Sequence, residues 1–592
     1  MAAAVVACIS IVMAPPGIAQ QGPIRLFPER DPAPATEPAP APQPARPPAT
    51  GVQTLTPRAE PAARAEPQGE FVVEGLAAPE LDAIGLSGPT EGGFDRRLWQ
   101  GSDPELVSQL LADLPVVSLV PPLRALARRV LVTGSPPGGR EPGRMLALRI
   151  ERLVAMGDLD AAKAVVDHLP PPATDSVLAR RTAEVALLLG DDQSACPLAD
   201  SVGPTSGAAF WAEVGVYCRL VDDDRNGAQL GLDLMREAGH TADYAFFALA
   251  GAIIDETGPP PLESLAEAAP IHLALLALAE WPLPDPVLAR AAPPVLAVVA
   301  REPALAGGQQ LSALEHAFLV GATSADRVAA SYAEQATSGG MDELPGARGH
   351  WDAETRATAY AAVREASEPV TRGELLDATW QAADGAERFL VAEVFAAPFV
   401  ELPVERQLAA VAPSVARALL AAERSVPAAS WLSVLSAEAG PDARLRPAVA
   451  ALVPLFALAG VGGSDAVPRI DSAAVEAWQR ATAADQALAE RLFASLEGVG
   501  APIEDGAWRD LLAGHYHRQQ AAPAAVLWRG LEQAAAERRI GDTVLFVLHM
   551  LKGQPEAVHP EVLVAALRAL RRVGLDRDAR AIAVATALIS DL

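Results

Sequence analysis

Lysine is almost missing from this chain of 592 residues: only Lys163 and Lys552 occur, and arginine carries the remaining positive charge. Aromatic residues make up 5%. There are three cysteines, Cys8, Cys196 and Cys218. These shortages exclude whole classes of function. With 47 basic residues against 74 acidic ones the net charge is −27, and no basic patch offsets it. Such a surface repels nucleic-acid phosphates and anionic lipid, so no nucleic-acid partner is expected. The sequence has no HExxH and no cysteine cluster, which argues against structural zinc. Its nine histidines are scattered. His515 and His517 in HYHRQ are two apart and point in different directions on a helix. No Walker motif is present, and GVGGSD at 460–465 follows no strand. GLSGP at Gly85–Pro89 lacks the Gly-x-Ser-x-Gly spacing of a nucleophile elbow. No catalytic residue, cofactor site or metal site is assigned, and a non-enzymatic protein is expected.

Long hydrophobic runs are also missing. The longest apolar opening, Ala2 to Met13, is shorter than the ~20 residues that span a bilayer. It is followed by Pro15, Pro16, Gly17 and small residues up to Ala19. That order matches the apolar region and cleavage site of a signal peptide, residues 1–19, cut after Ala19. No Lys or Arg precedes the run, so the charged start of the signal is expected further upstream. A lipoprotein reading of Val5–Cys8 leaves too little apolar chain before Cys8. The mature chain is therefore expected to be soluble and periplasmic, with no integral membrane segment.

What is abundant is alanine, proline, glycine and arginine. Residues 20–69 are a Pro-rich, disordered linker; the density of proline in 31–67 favours extended polyproline II over helix or sheet. At ~3.1 Å per residue it reaches on the order of 100 Å. It is either a spacer that crosses part of the envelope or binds a partner, or a disordered tail without a specific partner. Residues 70–103 form an extended docking segment, with a short strand expected at Glu70–Glu74. Val72, Val73, Leu76, Leu81, Ile84, Leu86, Phe94, Leu98 and Trp99 make it too apolar for a free linker. Within it, GGFDRRLWQGSD (92–103) has two readings. In one, Phe94 and Trp99 stack on a ligand while Arg96 and Arg97 clamp an anion. In the favoured one it is a latch: Phe94, Leu98 and Trp99 bury against the first helices, Arg97 pairs with Asp95 or a neighbour, and the glycines allow close approach. Ser102 and Glu105 fit a capping box, with Pro104 in the first turn.

From Pro104 onward apolar residues recur at three and four, with Gly, Pro and Asp as punctuation. The fold class expected is all-α. Three helical blocks are expected: 104–345, 346–503 and 504–592. The boundaries rest on SGGMDELPGARGHWDAE (338–354) and, more weakly, on GGSDAVPRIDS (462–472) and EGVGAPIEDG (497–506). The C-terminal end reads as a helical hairpin. Leu563, Ala566, Leu567, Leu570 and Val573 line one face, Gly574 stops the helix, and Ile582, Ala585 and Ile589 line the next.

A similar unit recurs earlier. VAMGDLDAAKAVVDHL (154–169) aligns with LLLGDDQSACPLADSV (187–202), Gly157-Asp158 lying 33 residues before Gly190-Asp191. Asp223 follows Gly190 by the same step. Over about 144–238 and 504–592 the chain resembles the tetratricopeptide class, although the consensus Trp, Tyr and Pro positions are mostly absent. The resemblance implies an α-solenoid of TPR-like helical hairpins with a protein or peptide partner on its concave face. In its register, Cys196 lies on the second helix of one unit and Cys218 on the first helix of the next. Neighbouring helices pack directly, so a Cys196–Cys218 disulfide is preferred over two buried thiols.

DDDRNGAQLGLD (222–233) matches a calcium-loop template at Asp222, Asp224, Asn226, Gly227 and Asp233. Gln229 stands where an apolar residue belongs and Asp233 is shorter than the usual Glu. A solvated repeat turn is favoured at Asp222–Asp233. The function expected is a periplasmic protein–protein interaction scaffold or adaptor in cell-envelope assembly. Two alternatives stand beside it: a relative of peptidoglycan-cleaving enzymes that carry a helical superhelix, and a periplasmic chaperone for secreted or motility proteins.

Overall fold

Short helices follow directly from how often this sequence stops one and starts another. Proline, which cannot continue a helix but suits its first turn, opens α1 (Pro104–Ala112) and α2 (Pro121–Val132). The computed structural model describes residues 80–592 except 89, 91, 136–140, 171–175, 262–264, 266–267, 336–350, 462–471, 483–484, 502, 504, 513–522 and 591–592. The expected signal peptide, Pro-rich linker and strand at Glu70–Glu74 lie outside the described residues, as do His515, His517 and most of the expected 338–354 and 462–472 boundaries. Ala77–Leu592 forms one compact unit, and all that follows concerns it. Among the described residues it is all-α, with no strand beyond an isolated bridge. No described helix is long and apolar enough to cross a membrane.

The helices continue as α3 (Arg144–Ala155), α4 (Leu159–Val166), α5 (Ser176–Leu188), α6 (Asp192–Ser206), α7 (Ala209–Val221), α8 (Arg225–Glu237) and α9 (Tyr244–Ile254). Next come α10 (Pro270–Leu278), α11 (Asp285–Leu288), α12 (Pro293–Arg301), α13 (Gln310–Val320) and α14 (Ala325–Gln335). After residues 336–350 follow α15 (Ala353–Glu365), α16 (Pro369–Ala382), α17 (Glu387–Val394), α18 (Ala396–Glu401), α19 (Ala412–Ala421), α20 (Ser425–Glu438) and α21 (Arg446–Ala459). The last are α22 (Ser472–Thr482), α23 (Gln486–Gly498), α24 (Asp505–Leu512), α25 (Ala525–Ala536), α26 (Ile540–Leu551), α27 (Pro560–Arg572) and α28 (Asp576–Ile589). Helices on both sides of 336–350 pack together, α14 against α15 and α17.

The 33-residue register has a backbone basis. Gly157, Gly190, Asp223 and Glu256, each 33 residues after the one before, all adopt left-handed φ. This is the conformation that ends a helix and turns the chain back. After the first three, Asp158, Asp191 and Asp224 each accept a backbone N–H in the first turn of α4, α6 and α8. After Glu256 the run Gly258-Pro259-Pro260-Pro261 blocks a further helix, and the register ends. Instead α10 packs on α5, α7 and α9. Its residues Ile271 to Leu276 are all buried, apolar apart from His272. The face made by α5 and α7 is thus covered by the chain itself.

Of the segment expected to be extended, residues 80–103 are described apart from 89 and 91; they pack on the helical body through a 3-10 turn at Leu81–Ala83 and turns at 96–101, not as one extended strip. Leu86 N–H donates to the Val132 carbonyl at 2.8 Å. The Asp82 carboxylate accepts from Gly143 N–H at 3.1 Å and Leu146 N–H at 2.9 Å. It therefore caps α3, whose own cap position is a glycine without a side chain. Buried Arg149 answers from α3, donating to the carbonyls of Leu131 and Ile84 at 2.7 and 2.8 Å. Burial lowers the Arg149 guanidinium to about 10, against the pull of Asp82.

Phe94, Leu98 and Trp99 are buried, in the manner of a latch, but their partners correct the expectation. Phe94 does face the first helices: its ring lies 4.4 Å from Arg129 of α2, and its N–H donates to Thr133. Trp99 lies instead against α26, more than four hundred residues later. Gly541 N–H donates to the Leu98 carbonyl at 3.1 Å, and a Cβ on Gly541 would sit 2.4 Å from the indole. Arg97 meets Asp95 through its backbone N–H at 2.8 Å. The cap of α1 is Asp103, which accepts from Glu105 N–H; Ser102 is one residue too early.

Further contacts extend this seam. Ser118 donates to the Gly553 carbonyl at 2.6 Å, and His549 Nε2–H to the Leu110 carbonyl at 2.8 Å. Arg129 pairs with Asp578 of α28 at 2.5 Å. Helices α1 and α2 accordingly pack on α26, and α2 also on α28. A solenoid reading places contacts between neighbours; here the two ends of the unit meet as well.

Gly541→Ala is expected to destabilise by about 1–3 kcal/mol through overpacking against Trp99, and Trp99→Ala by about 3–5 kcal/mol. In a Trp99→Ala background the Gly541→Ala cost should largely vanish, as a double-mutant cycle in urea would reveal.

The seam also buries a carboxyl. Asp542 is fully buried, and burial raises it above the usual carboxylate range although Ser102 and Arg539 pull it down. A group raised in the folded state contributes stability that is present below its unfolded value and lost as pH rises through the folded one. Asp542→Asn should therefore leave the melting temperature at pH 4 nearly unchanged, raise it at pH 7.5, and flatten the decline between them.

Candidate functional site

A cleft of about 490 Å³ opens where α2, the α3–α4 turn, the end of α12 and the α13–α14 turn come together. Gly157 sets one wall: a Cβ there would lie 2.7 Å from Ala322 and 2.9 Å from the Pro293 carbonyl, so the α3–α4 turn sits hard against its neighbours. Four arginines line the cleft, Arg124 and Arg128 from α2, Arg301 from α12 and Arg327 from α14. Two carboxylates, Asp158 and Asp160, accompany them.

The charges are unequally held. Arg128 pairs with Asp158 at 2.5 Å, while the other oxygen of Asp158 caps α4 through Ala161 N–H at 3.0 Å. Arg301 pairs with Asp160 at 2.8 Å, but the Asp160 side chain is 83% exposed; an ion pair in water is weak. Arg124 donates to the carbonyls of Ser118 and Leu319 at 2.6 and 2.7 Å. Burial lowers it to about 10, with Glu393 pulling the other way. It remains a cation at neutral pH. Its Nε would lie 2.7 Å from a Cβ on Gly321, so only glycine leaves room for the guanidinium. Arg327 is exposed, and no carboxylate pairs with it among the described residues.

Cys196 of α6 and Cys218 of α7 are brought together, with Sγ atoms 2.02 Å apart and Cα atoms 5.8 Å apart. Tyr217 donates to Asp192 at 2.6 Å and ties the same two helices. The calcium-template residues do not converge. Asp222 ends α7, Asp224 caps α8 through Gly227 N–H at 2.9 Å, and Asn226 onward is helix. Asp233 lies nine residues further along that helix, roughly 13 Å from Asp224 at ~1.5 Å per residue, and it pairs with Arg236 at 2.7 Å. In the latch, Arg96 and Arg97 are exposed but the aromatic half of a recognition patch is buried.

Two polar clusters escape a reading of spacing. Glu315 is buried and held bidentately by Arg356, at 2.9 and 2.6 Å, with the Tyr332 hydroxyl donating to the same carboxylate. Burial, then Glu315, raises the Tyr332 phenol above its ordinary range. Forty-one residues separate the ion pair, so no sequence window contains it. His272 Nδ1 accepts from Ala269 N–H at 3.2 Å, and its Nε2 meets the Asp243 oxygens at 2.8 and 2.9 Å. Asp243 also caps α9 through Phe246 N–H. Both clusters have their lone pairs and protons engaged within the fold, as buried polar groups require. The only legible hint was Asp243 itself, a cap residue before an apolar run.

Replacing Cys196 and Cys218 by serine should cost about 3 kcal/mol by the chain-entropy relation for a loop of this size. Denaturant titration with and without reductant would test it: reduction should shift the parent protein and leave the double variant unmoved. Compared with known proteins, the chain matches no protein-family model, no curated protein and no solved structure.

Proposed function

We propose that this chain is a non-enzymatic scaffold of the cell envelope, exported by its signal sequence, whose TPR-like helical hairpins form a solenoid stretch that binds a protein or peptide partner. The observation that carries the reading is the run of left-handed turns at Gly157, Gly190, Asp223 and Glu256 in 33-residue steps, three of them followed by an aspartate cap. Repeating hairpins of this length present long surfaces suited to extended partners. The chemistry-bearing side chains agree with it. Glu315, a buried glutamate, is held bidentately by Arg356 and has a structural role there.

Where the partner lies depends on what the chain leaves open. The face of α5 and α7 carries α10, so this part of a concave surface is taken. On α8, by contrast, Leu230 and Leu234 are 59% and 56% exposed, one turn apart, and they offer an apolar strip on the second-helix side. The partner is proposed to engage the array there, with the Pro-rich arm as a spacer.

The test is in-cell crosslinking of the full chain followed by mass spectrometry, with Leu230→Asp/Leu234→Asp beside it. A recurrent envelope protein, captured by the parent and reduced at least about tenfold in the variant, is the expected result. No enriched partner would remove the scaffold reading, and capture indifferent to the variant would move the surface elsewhere on the array. The same preparation should begin at Gln20 if the signal is cut after Ala19.

A further inference from the structure

We propose that the arginine-lined cleft between α2, the α3–α4 turn, α12 and α14 is a binding site for a small oxyanion with at least two negative charges, a polycarboxylate or a phosphate ester.

Charge carries the argument furthest. The chain as a whole bears −27, yet this cleft collects four guanidiniums against two carboxylates. Each carboxylate is already engaged by an arginine, Asp158 by Arg128 and Asp160 by Arg301. Arg124 and Arg327 are left over. Arg124 is held by two neutral carbonyls, which orient it without cancelling its charge. The carboxylate whose field reaches it, Glu393, is also drawn by Arg424. Cations gathered without matching anions repel one another, and Arg124 has also lost hydration by burial; a bound dianion relieves both.

Geometry then selects the ligand class. Arginine presents planar donor pairs that fit the oxygens of a carboxylate or phosphate. Arg301 is the exchangeable member, because its exposed partner Asp160 holds it weakly. Arg124 is the fixed member, seated in the space that Gly321 leaves. Thr323 and Ser324 line the same wall and bring hydroxyl groups. The volume, about 490 Å³, falls within the range of small-molecule sites, roughly 300–1,000 Å³. The cleft is built from four separate elements whose backbone turns are fixed by Gly157 and Gly321, so it is preorganised. None of this depends on the scaffold reading, which stands or falls with a protein partner.

The experiment is isothermal titration of the full chain with citrate and, separately, with inorganic phosphate, at pH 7 in low salt. Arg327→Gln is the informative variant, since the side chain is exposed and its loss removes no ion pair among the described residues. Arg529→Gln, an exposed position on α25, is the control. The expected result is saturable one-site binding of at least one anion, weakened about tenfold by Arg327→Gln, the loss of one charge-assisted contact, and unchanged by Arg529→Gln. Preference for citrate assigns a carboxylate ligand, and preference for phosphate assigns a phosphorylated one. If neither anion binds, or if Arg327→Gln binds like the parent, the proposal is overturned.

Discussion

Trp99 resting on Gly541 is the contact on which the rest of the unit depends. It joins a segment that precedes the first helix to a helix near the end of the chain. Short amphipathic helices are marginal alone, and their stability comes from packing their apolar faces. Helices α1 and α2 have only part of that packing from their sequence neighbours. The remainder comes from α26 and α28. A glycine at 541 is the condition for it, because any larger side chain would meet the indole ring. Beside this seam, Asp82 caps α3, Arg149 reaches the carbonyls of Leu131 and Ile84, and α2 presents Arg124 and Arg128 to the cleft.

The acidic composition has a structural use as well as a solubilising one. Aspartates cap α1, α4, α6, α8, α9, α15 and α23, each accepting a first-turn backbone N–H. Every short helix exposes unsatisfied donors at its start, so a chain of many short helices needs many caps. Arginine plays the complementary part, reaching carbonyls left open at helix ends. Arg124 serves Leu319 beyond α13's midpoint, Arg388 serves Leu588 and Arg580 serves Leu458. Lysine, a point charge on a flexible stem, does this less well than a planar guanidinium with several fixed donors.

The hairpin stretch and the cleft are linked by the same turns. Gly157 ends α3 in the repeat register and also packs against Ala322 and Pro293. Asp158, the next residue, caps α4 and holds Arg128. A residue chosen by the needs of a repeat thus forms a wall and a charge pair of the cleft. The departure of α10 from the register has the opposite sense: it ends the repeat and seals the surface that the preceding first helices had left apolar.

The sequence by itself determined what is local. Helical periodicity, the 33-residue step, the stop at Gly574 and the apolar faces of the final hairpin were all legible, because caps, left-handed turns and i, i+3, i+4 patterns act within a few residues. The apolarity of Phe94, Leu98 and Trp99 marked a segment that must be buried. Which surface buries it was not legible, nor was the pairing of Glu315 with Arg356, the capping of α3 by Asp82, or the gathering of Arg124, Arg128, Arg301 and Arg327. Those depend on partners tens to hundreds of residues away, and each side chain taken alone looks like an ordinary surface residue or an ordinary helix former. Only tertiary packing, by bringing turns from separate hairpins within reach of one another, decided which charges meet, which are cancelled, and which remain in the cleft without a counter-ion.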